Sequence, residues 1–155
     1  MTAPPRFTVS AAVPGGDVVV GLPVCAGEVP AELDAKFLAG RGFEGRPGEA
    51  VAMPSANGTT TVALGLGEAA SVGRDELRRA GAALARHAGP AKTIATTLAS
   101  AAHDPDDVAA AVEGIGLGAY RYDGPKRAPG SRPAFTRVVV VGGTSLRGPV
   151  AAGRR

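Results

Sequence analysis

"DVVVGLPV", residues 17–24, decides the fold. After Asp17 every position is apolar or glycine, with no polar alternation, so a strand here has both of its faces covered. "TRVVVVGG", residues 136–143, carries a second such run. "RFTVSAAV", residues 6–13, differs: Phe7, Val9, Ala11 and Val13 recur with the period of a half-buried strand. Strands covered on both faces need layers on both sides of their sheet, and the intervening segments must supply helices.

Those helices can be read from the sequence. "VPAELDAKFLAG" (29–40) places Pro30 in a first turn, Leu33 and Phe37 four apart, and Gly40 as a stop, which predicts a short helix. "GRDELRRAGAALARHAG" (73–89) puts Leu77, Ala80, Gly81, Leu84 and Ala88 on one stripe, with Arg78, Arg79 and Arg86 away from it. "HDPDDVAAAVEGIGLGAY" (103–120) opens with Asp104 as N-cap, Pro105 at the first helical position, and Asp106 and Asp107 in the first turn. Its apolar stripe is Val108, Ala111, Val112, Ile115 and Ala119. Between these, "EAVAMPSANGTTTVALGLG" (49–67) reads as two strands joined at Asn57-Gly58, and "KTIATTL" (92–98) as one more. Strands alternating with helices give an α/β layer fold, to which the hairpin adds an antiparallel pair. "SLRGPVAAGRR" (145–155) lacks a packing signal.

A chain of 155 residues suits one domain with a real core. Only 4% of it is aromatic, so that core must come from Val, Leu, Ile and Ala. The opening "MTAPPRFTVS" has no apolar stretch of the kind a signal peptide carries, and no run approaches membrane-spanning length. A lone Cys25 excludes an internal disulfide framework, and together these features predict a cytoplasmic location with no membrane partner. The formal charge of +3 is uneven: residues 1–120 hold nine Lys/Arg against thirteen Asp/Glu, and residues 121–155 hold eight against one. That basic end either attracts phosphate or acidic partners or is simply solvated.

Candidate chemistry is sparse. "GLGEAA" (65–70) matches a dinucleotide-type glycine pattern. However, Glu68 would sit where a phosphate should, the following helix starts only near Arg74 or Asp75, and no acid lies between Glu76 and Asp104. A strand-ending turn explains it better. Gly114, Gly116 and Gly118 follow a helix pattern rather than a strand, so close packing or a weakened last turn is the expected reason for them. His87 and His103 form no metal-binding motif, and the carboxylates of "HDPDD" are accounted for as caps. Cys25 has no identifiable base, and Ser71, Ser100 and Ser145 lie in no nucleophile elbow.

Taken in order, "GFEGRPGEAVAMP", "VALGLGE", "DELRRAGAALAR" and "EGIGLGAYRYDGPKR" resemble the N-terminal domain of the leucine aminopeptidase (cytosol aminopeptidase) family. The last stretch matches best, through Glu113-Gly114, Gly118-Ala119-Tyr120-Arg121-Tyr122-Asp123 and Lys126. It departs from the family pattern at Gly116-Leu117 and at Pro125, where an aromatic is usual. Phe43 to Glu49 is the second match, and the likeness runs over about residues 7–142.

The resemblance implies a macro-like domain over 1–142, a mixed β-sheet flanked by helices on both faces. Residues 143–155 would begin an interdomain linker or form a flexible tail. Tyr120 and Tyr122 would pack the end of the helix against the body. The resemblance further implies a hexameric parent that removes N-terminal amino acids from peptides with two divalent metals, manganese or zinc. The family's catalytic motifs, of the types "G-K-G-x-T-F-D-[ST]-G-G" and "N-T-D-A-E-G-R", do not occur in these 155 residues. No catalytic, metal or cofactor residue is therefore expected in this chain, and its first partner would be a C-terminal catalytic domain. The alternative is a stand-alone binding module. It would take nucleic acid through Arg121, Lys126, Arg127 and Arg132, or an ADP-ribose-like ligand by analogy with macro domains.

Overall fold

The structure is a computed structural model and describes residues 4–54, 59–120 and 135–154. Among these described residues six strands form one sheet: β1 (Arg6–Ser10), β2 (Val18–Cys25), β3 (Ala50–Pro54), β4 (Thr60–Gly67), β5 (Thr93–Thr96) and β6 (Arg137–Val141). They lie in the order β1-β6-β5-β2-β4-β3. Every neighbouring pair is parallel except β3–β4, which is antiparallel, as the hairpin signal requires. The two continuous apolar runs become β2 and β6, both inner strands, while the alternating run becomes the edge strand β1.

Residue parity assigns the two faces. Val19, Val62, Leu64, Leu66, Ile94 and Val138 point to one side, where α2 (Arg74–Arg86) and α3 (Pro105–Tyr120) cover them with Leu77, Leu84, Ala111 and Ile115. Each such fully buried Leu or Ile contributes about 1.5–3 kcal/mol of apolar transfer energy. On the other side Val24 and Ala63 meet Leu33, Phe43 and Leu38 of α1 (Ala35–Gly40). The mixed sheet thus carries helices on both faces, as expected.

Two elements differ from the sequence reading. The short helix begins at Ala35 rather than near Pro30, because Asp34 is its N-cap and accepts a hydrogen bond from Phe37 N at 3.0 Å. Pro30 instead accepts the Leu33 N–H in a preceding turn. Leu38, not Phe37, is then the helix's buried residue. The second difference is at the end of the chain, where Arg147–Gly153 forms α4. Its Val150 is buried against Val108, Val112 and Val140. Gly153 lies so close to the Ala109 carbonyl and Val112 that a Cβ there would collide with both.

Candidate functional site: a glycine junction and an arginine-lined groove

The two best family-like motifs of the first half meet in space. The loop Phe43–Glu49 folds over the end of β4: Gly65 N donates to Glu49 O at 2.8 Å and Gly67 N to Gly45 O at 2.7 Å. Within the loop, the Glu49 carboxylate accepts from Arg46 N at 2.7 Å and Glu44 N at 3.2 Å. A Cβ on Gly65 would strike the Arg46 carbonyl, and Gly67 has φ +82 with Pro47 against it. The glycines of "GLG" are therefore needed for backbone-to-backbone approach and a left-handed turn. Their partner is the chain itself, and the next helical residues are a single 3₁₀ turn, Ala69–Ser71. α2 starts only at Arg74, with Glu76 accepting from Gly73 N at 3.0 Å. The phosphate-loop reading fails on geometry as well as on charge.

The α2–α3 crossing uses the same device. Cβ atoms on Gly81, Gly114 or Gly118 would strike the backbone of the facing helix, at Ala111, Arg78 and Ala82 respectively. Gly116 meets nothing within 4 Å and has no such role. Beside this crossing lies a groove of about 460 Å³. Arg78, Arg79 and Arg86 of α2 wall it on one side and Leu117 of α3 on the other. Pro47 and Gly48 of the loop close one margin, and the small residues Ala82, Gly114 and Gly118 leave the floor open. Leu117 is 52% exposed. Arg78 is held by Asp75 at 3.1 Å and Glu113 at 3.5 Å. The sequence places these arginines away from the apolar stripe of α2 and does not show the groove. The signal was the row Arg78, Ala82, Arg86 at i, i+4, i+8, but its opposite wall is contributed by another helix.

The remaining candidates are placed as follows. Asp104 Oδ1 accepts from Asp107 N at 3.0 Å, and the buried Asp107 carboxylate accepts from His103 N at 2.9 Å, so this cluster caps α3. Asp106 pairs with Arg74 at 2.9 Å in the open. His87 Nδ1 donates to the Ala83 carbonyl at 2.8 Å. Cys25 is half-buried at the end of β2; burial first, and then the nearby Glu28 carboxylate, push its thiol above the ordinary range. Among the described residues no three His, Cys, Asp or Glu side chains converge as a metal ion would require. The metals implied by the resemblance thus find no fitting donor set there, and no hydrolytic step is assigned to this chain. Arg121, Lys126, Arg127 and Arg132 lie outside the described residues, as does Tyr122; Tyr120 is the last residue of α3. No described helix is long and apolar enough to cross a membrane.

Residues 30–129 match the profile of the cytosol aminopeptidase family, N-terminal domain. The chain belongs to this family. A protein named "Probable cytosol aminopeptidase" from Corynebacterium diphtheriae is 40% identical over 91 residues, 57% of this chain and 17% of that protein. Another of the same name from Rhodococcus erythropolis is 31% identical over 111 residues, 70% of this chain and 21% of that protein. The cytosol aminopeptidase N-terminal domain described here therefore spans about a fifth of the length of these relatives. Among solved structures, the bottromycin maturation enzyme BotP in complex with Mn is 37% identical, with a TM-score of 0.70 over 88% of this chain and 28% of that one. A tomato leucine aminopeptidase mutant shares the fold, with a TM-score of 0.75 at 17% identity over 99% of this chain and 36% of that one.

Proposed function

We propose that this chain is the non-catalytic N-terminal domain of a leucyl (cytosol) aminopeptidase, serving assembly or regulation of its parent. The carrying observation is the family match over residues 30–129 in a chain that corresponds to about a fifth of its relatives. In this reading the parent removes N-terminal amino acids from peptides with two divalent metals, manganese or zinc, held in a C-terminal domain. The manganese in the BotP structure supports the choice of metal. The domain proper occupies 1–142, and 143–155 begins the connection to the C-terminal domain, with α4 as its first element. The parent is a cytoplasmic hexamer.

The test is a leucine p-nitroanilide assay on two proteins. The 155-residue chain should release no p-nitroaniline with added manganese or zinc. A protein carrying a continuing reading frame with both catalytic motifs should do so and lose activity to a chelator. Chelator-sensitive turnover by the 155 residues alone would refute the reading.

A second reading has support in the charge of the chain's end, eight Lys/Arg against one Asp/Glu over residues 121–155. There the domain binds nucleic acid through Arg121, Lys126, Arg127 and Arg132. Binding would then weaken steeply with salt, log K falling by about 0.9 per phosphate neutralised on duplex DNA. Affinity unchanged after replacing all four side chains would exclude it.

A further inference from the structure

We propose that the outer edge of β1 is a self-pairing surface, to which a second copy of this chain adds its own β1 in antiparallel fashion. The inference stands on the geometry of the strand and does not depend on the catalytic role of the parent. β1 is the end strand of the sheet, and among the described residues β6 alone pairs with it. Arg6 N donates to Thr136 O at 2.8 Å, and Gly142 N donates to Ser10 O at 2.8 Å. In a parallel ladder this register turns the main chains of Arg6, Thr8 and Ser10 toward β6. The N–H and C=O groups of Phe7 and Val9 therefore point outward, where no described strand takes them.

Two outward-facing residues with one between them define a register for antiparallel self-pairing. Phe7 lies opposite Val9 of the second copy, and Val9 opposite its Phe7. Residues paired in this way exchange both of their hydrogen bonds. Thr8 then falls on the two-fold axis as a non-hydrogen-bonded pair, with Cα atoms about 4.5 Å apart and side chains in contact. Thr8 Oγ1 is buried and has no hydrogen-bond partner among the described residues. Thr8 as a whole is only half-buried, so rotation about χ1 carries its hydroxyl to the edge. Across the axis it meets the same hydroxyl of the second copy, and one donates to the other. On the opposite face Phe7 and Val9 form aromatic–β-branched pairs that extend the cluster around Val150.

The strand's side chains favour a second copy over an unrelated strand. β1 carries no acid and one cation, Arg6, at its start. In the self-paired register Arg6 lies opposite Ser10, and the two Arg6 residues stand about 13 Å apart along the strands. That exceeds the screening length of about 8 Å at physiological salt, so the like charges do not oppose pairing. An unrelated strand would supply the backbone bonds without a hydroxyl opposite Thr8. Pro4 and Pro5 cannot donate to a ladder and end the pairing on one side. A strand of five residues is far smaller than the roughly 20–30 residues a side of a stable interface, so the dimer is weak.

Sedimentation equilibrium of the full chain up to about 2 mM should give a monomer–dimer curve with Kd between about 10 µM and 1 mM. Thr8→Val keeps the shape and removes the hydroxyl, and should weaken the dimer by about fivefold. Val9→Pro removes an outward N–H that β6 does not use, and should weaken it by at least about tenfold while circular dichroism stays unchanged. The register is read separately by oxidising Thr8→Cys and Ser10→Cys proteins, each also carrying Cys25→Ser, so that the result stands even where Val9→Pro does not fold. Thr8→Cys should give a disulfide-linked dimer, because a disulfide spans Cα atoms about 4.4–6.8 Å apart. Ser10→Cys should link at least about tenfold more slowly, its two copies being about 13 Å apart. A chain that stays monomeric at about 2 mM would overturn the proposal. So would a dimer that Thr8→Val and a folded Val9→Pro both leave unchanged, or equal linking of the two cysteine proteins.

Discussion

Replacing Gly114 by alanine tests how the two main helices are held together. A methyl there would collide with the Arg78 carbonyl oxygen and stand 2.8 Å from its carbon and 3.0 Å from the Arg78 Cα. Carbon atoms rest at about 3.5–4.0 Å, so α2 and α3 must separate by about 0.5–1 Å. A gap of that size forfeits about a quarter to a half of each contact's attraction. The seam affected contains Leu77, Leu84, Ala111 and Ile115, all buried. Overpacking costs about 1–3 kcal/mol, and the upper end applies because a backbone atom cannot rotate aside. Alanine recovers about 1 kcal/mol of helix propensity over glycine. The net expectation is a loss of about 2 kcal/mol, or about 4–8 °C in Tm. Gly116→Ala is the internal control, since nothing lies within 4 Å of the added methyl. It should stabilise by about 0.5–1 kcal/mol. Urea unfolding followed by far-UV circular dichroism measures both, provided the transitions are two-state. A Gly114→Ala protein as stable as wild type, or two variants shifted equally, would refute the close-crossing argument.

Gly65→Ala should cost more than about 2 kcal/mol in the same assay, because its methyl would strike the Arg46 carbonyl and push the Phe43–Glu49 loop off β4, to which the Gly45 and Glu49 carbonyls hold it. Wild-type stability would mean that the loop is not seated there. Val150→Ala removes about two buried methyl equivalents under α4 and should cost about 1.5 kcal/mol; no change would show that α4 is undocked in solution. Cys25 has a raised thiol pKa, so less thiolate is present at any given pH than for free cysteine. Its alkylation by iodoacetamide should therefore be slower near neutrality, with the midpoint of the rate–pH curve above that of free cysteine. A midpoint below it would reverse the sign of the argument.

The strands and the two long helices were legible because each carries an uninterrupted pattern, either a continuous apolar run or a single period. β2 and β6 are runs of valine and their like, and the stripes Leu77–Leu84 and Val108–Ile115 repeat every three or four residues. α1 was displaced because two start signals compete within five residues. Pro30 satisfies a first-turn rule, but only Asp34 supplies an oxygen to the helical N–H groups. α4 carried no readable period: seven residues with two glycines and a proline are held by tertiary contact at Val150, which no local pattern encodes. The groove was hidden for the same reason, since its arginines and Leu117 lie more than thirty positions apart in sequence. The physical reason is common to both. Periodicity reports which face of one element is buried, and not which exposed faces a second element brings together.

The glycine-dense stretches show what the family-like motifs of this domain encode. "FEGRPGE" and "GLG" fit together because Gly65 and Gly67 let a loop lie directly on a strand. "EGIGLG" and the Gly81 region fit together because two helices touch at the backbone. At Gly65, Gly81, Gly114 and Gly118 a Cβ would occupy space that carbonyl groups already fill, and at Gly67 it would meet the Pro47 ring on a left-handed backbone, so the requirement is steric and local. A motif of this kind can identify a fold without specifying a reaction, since it constrains distances between main chains and places no acid, base or ligand.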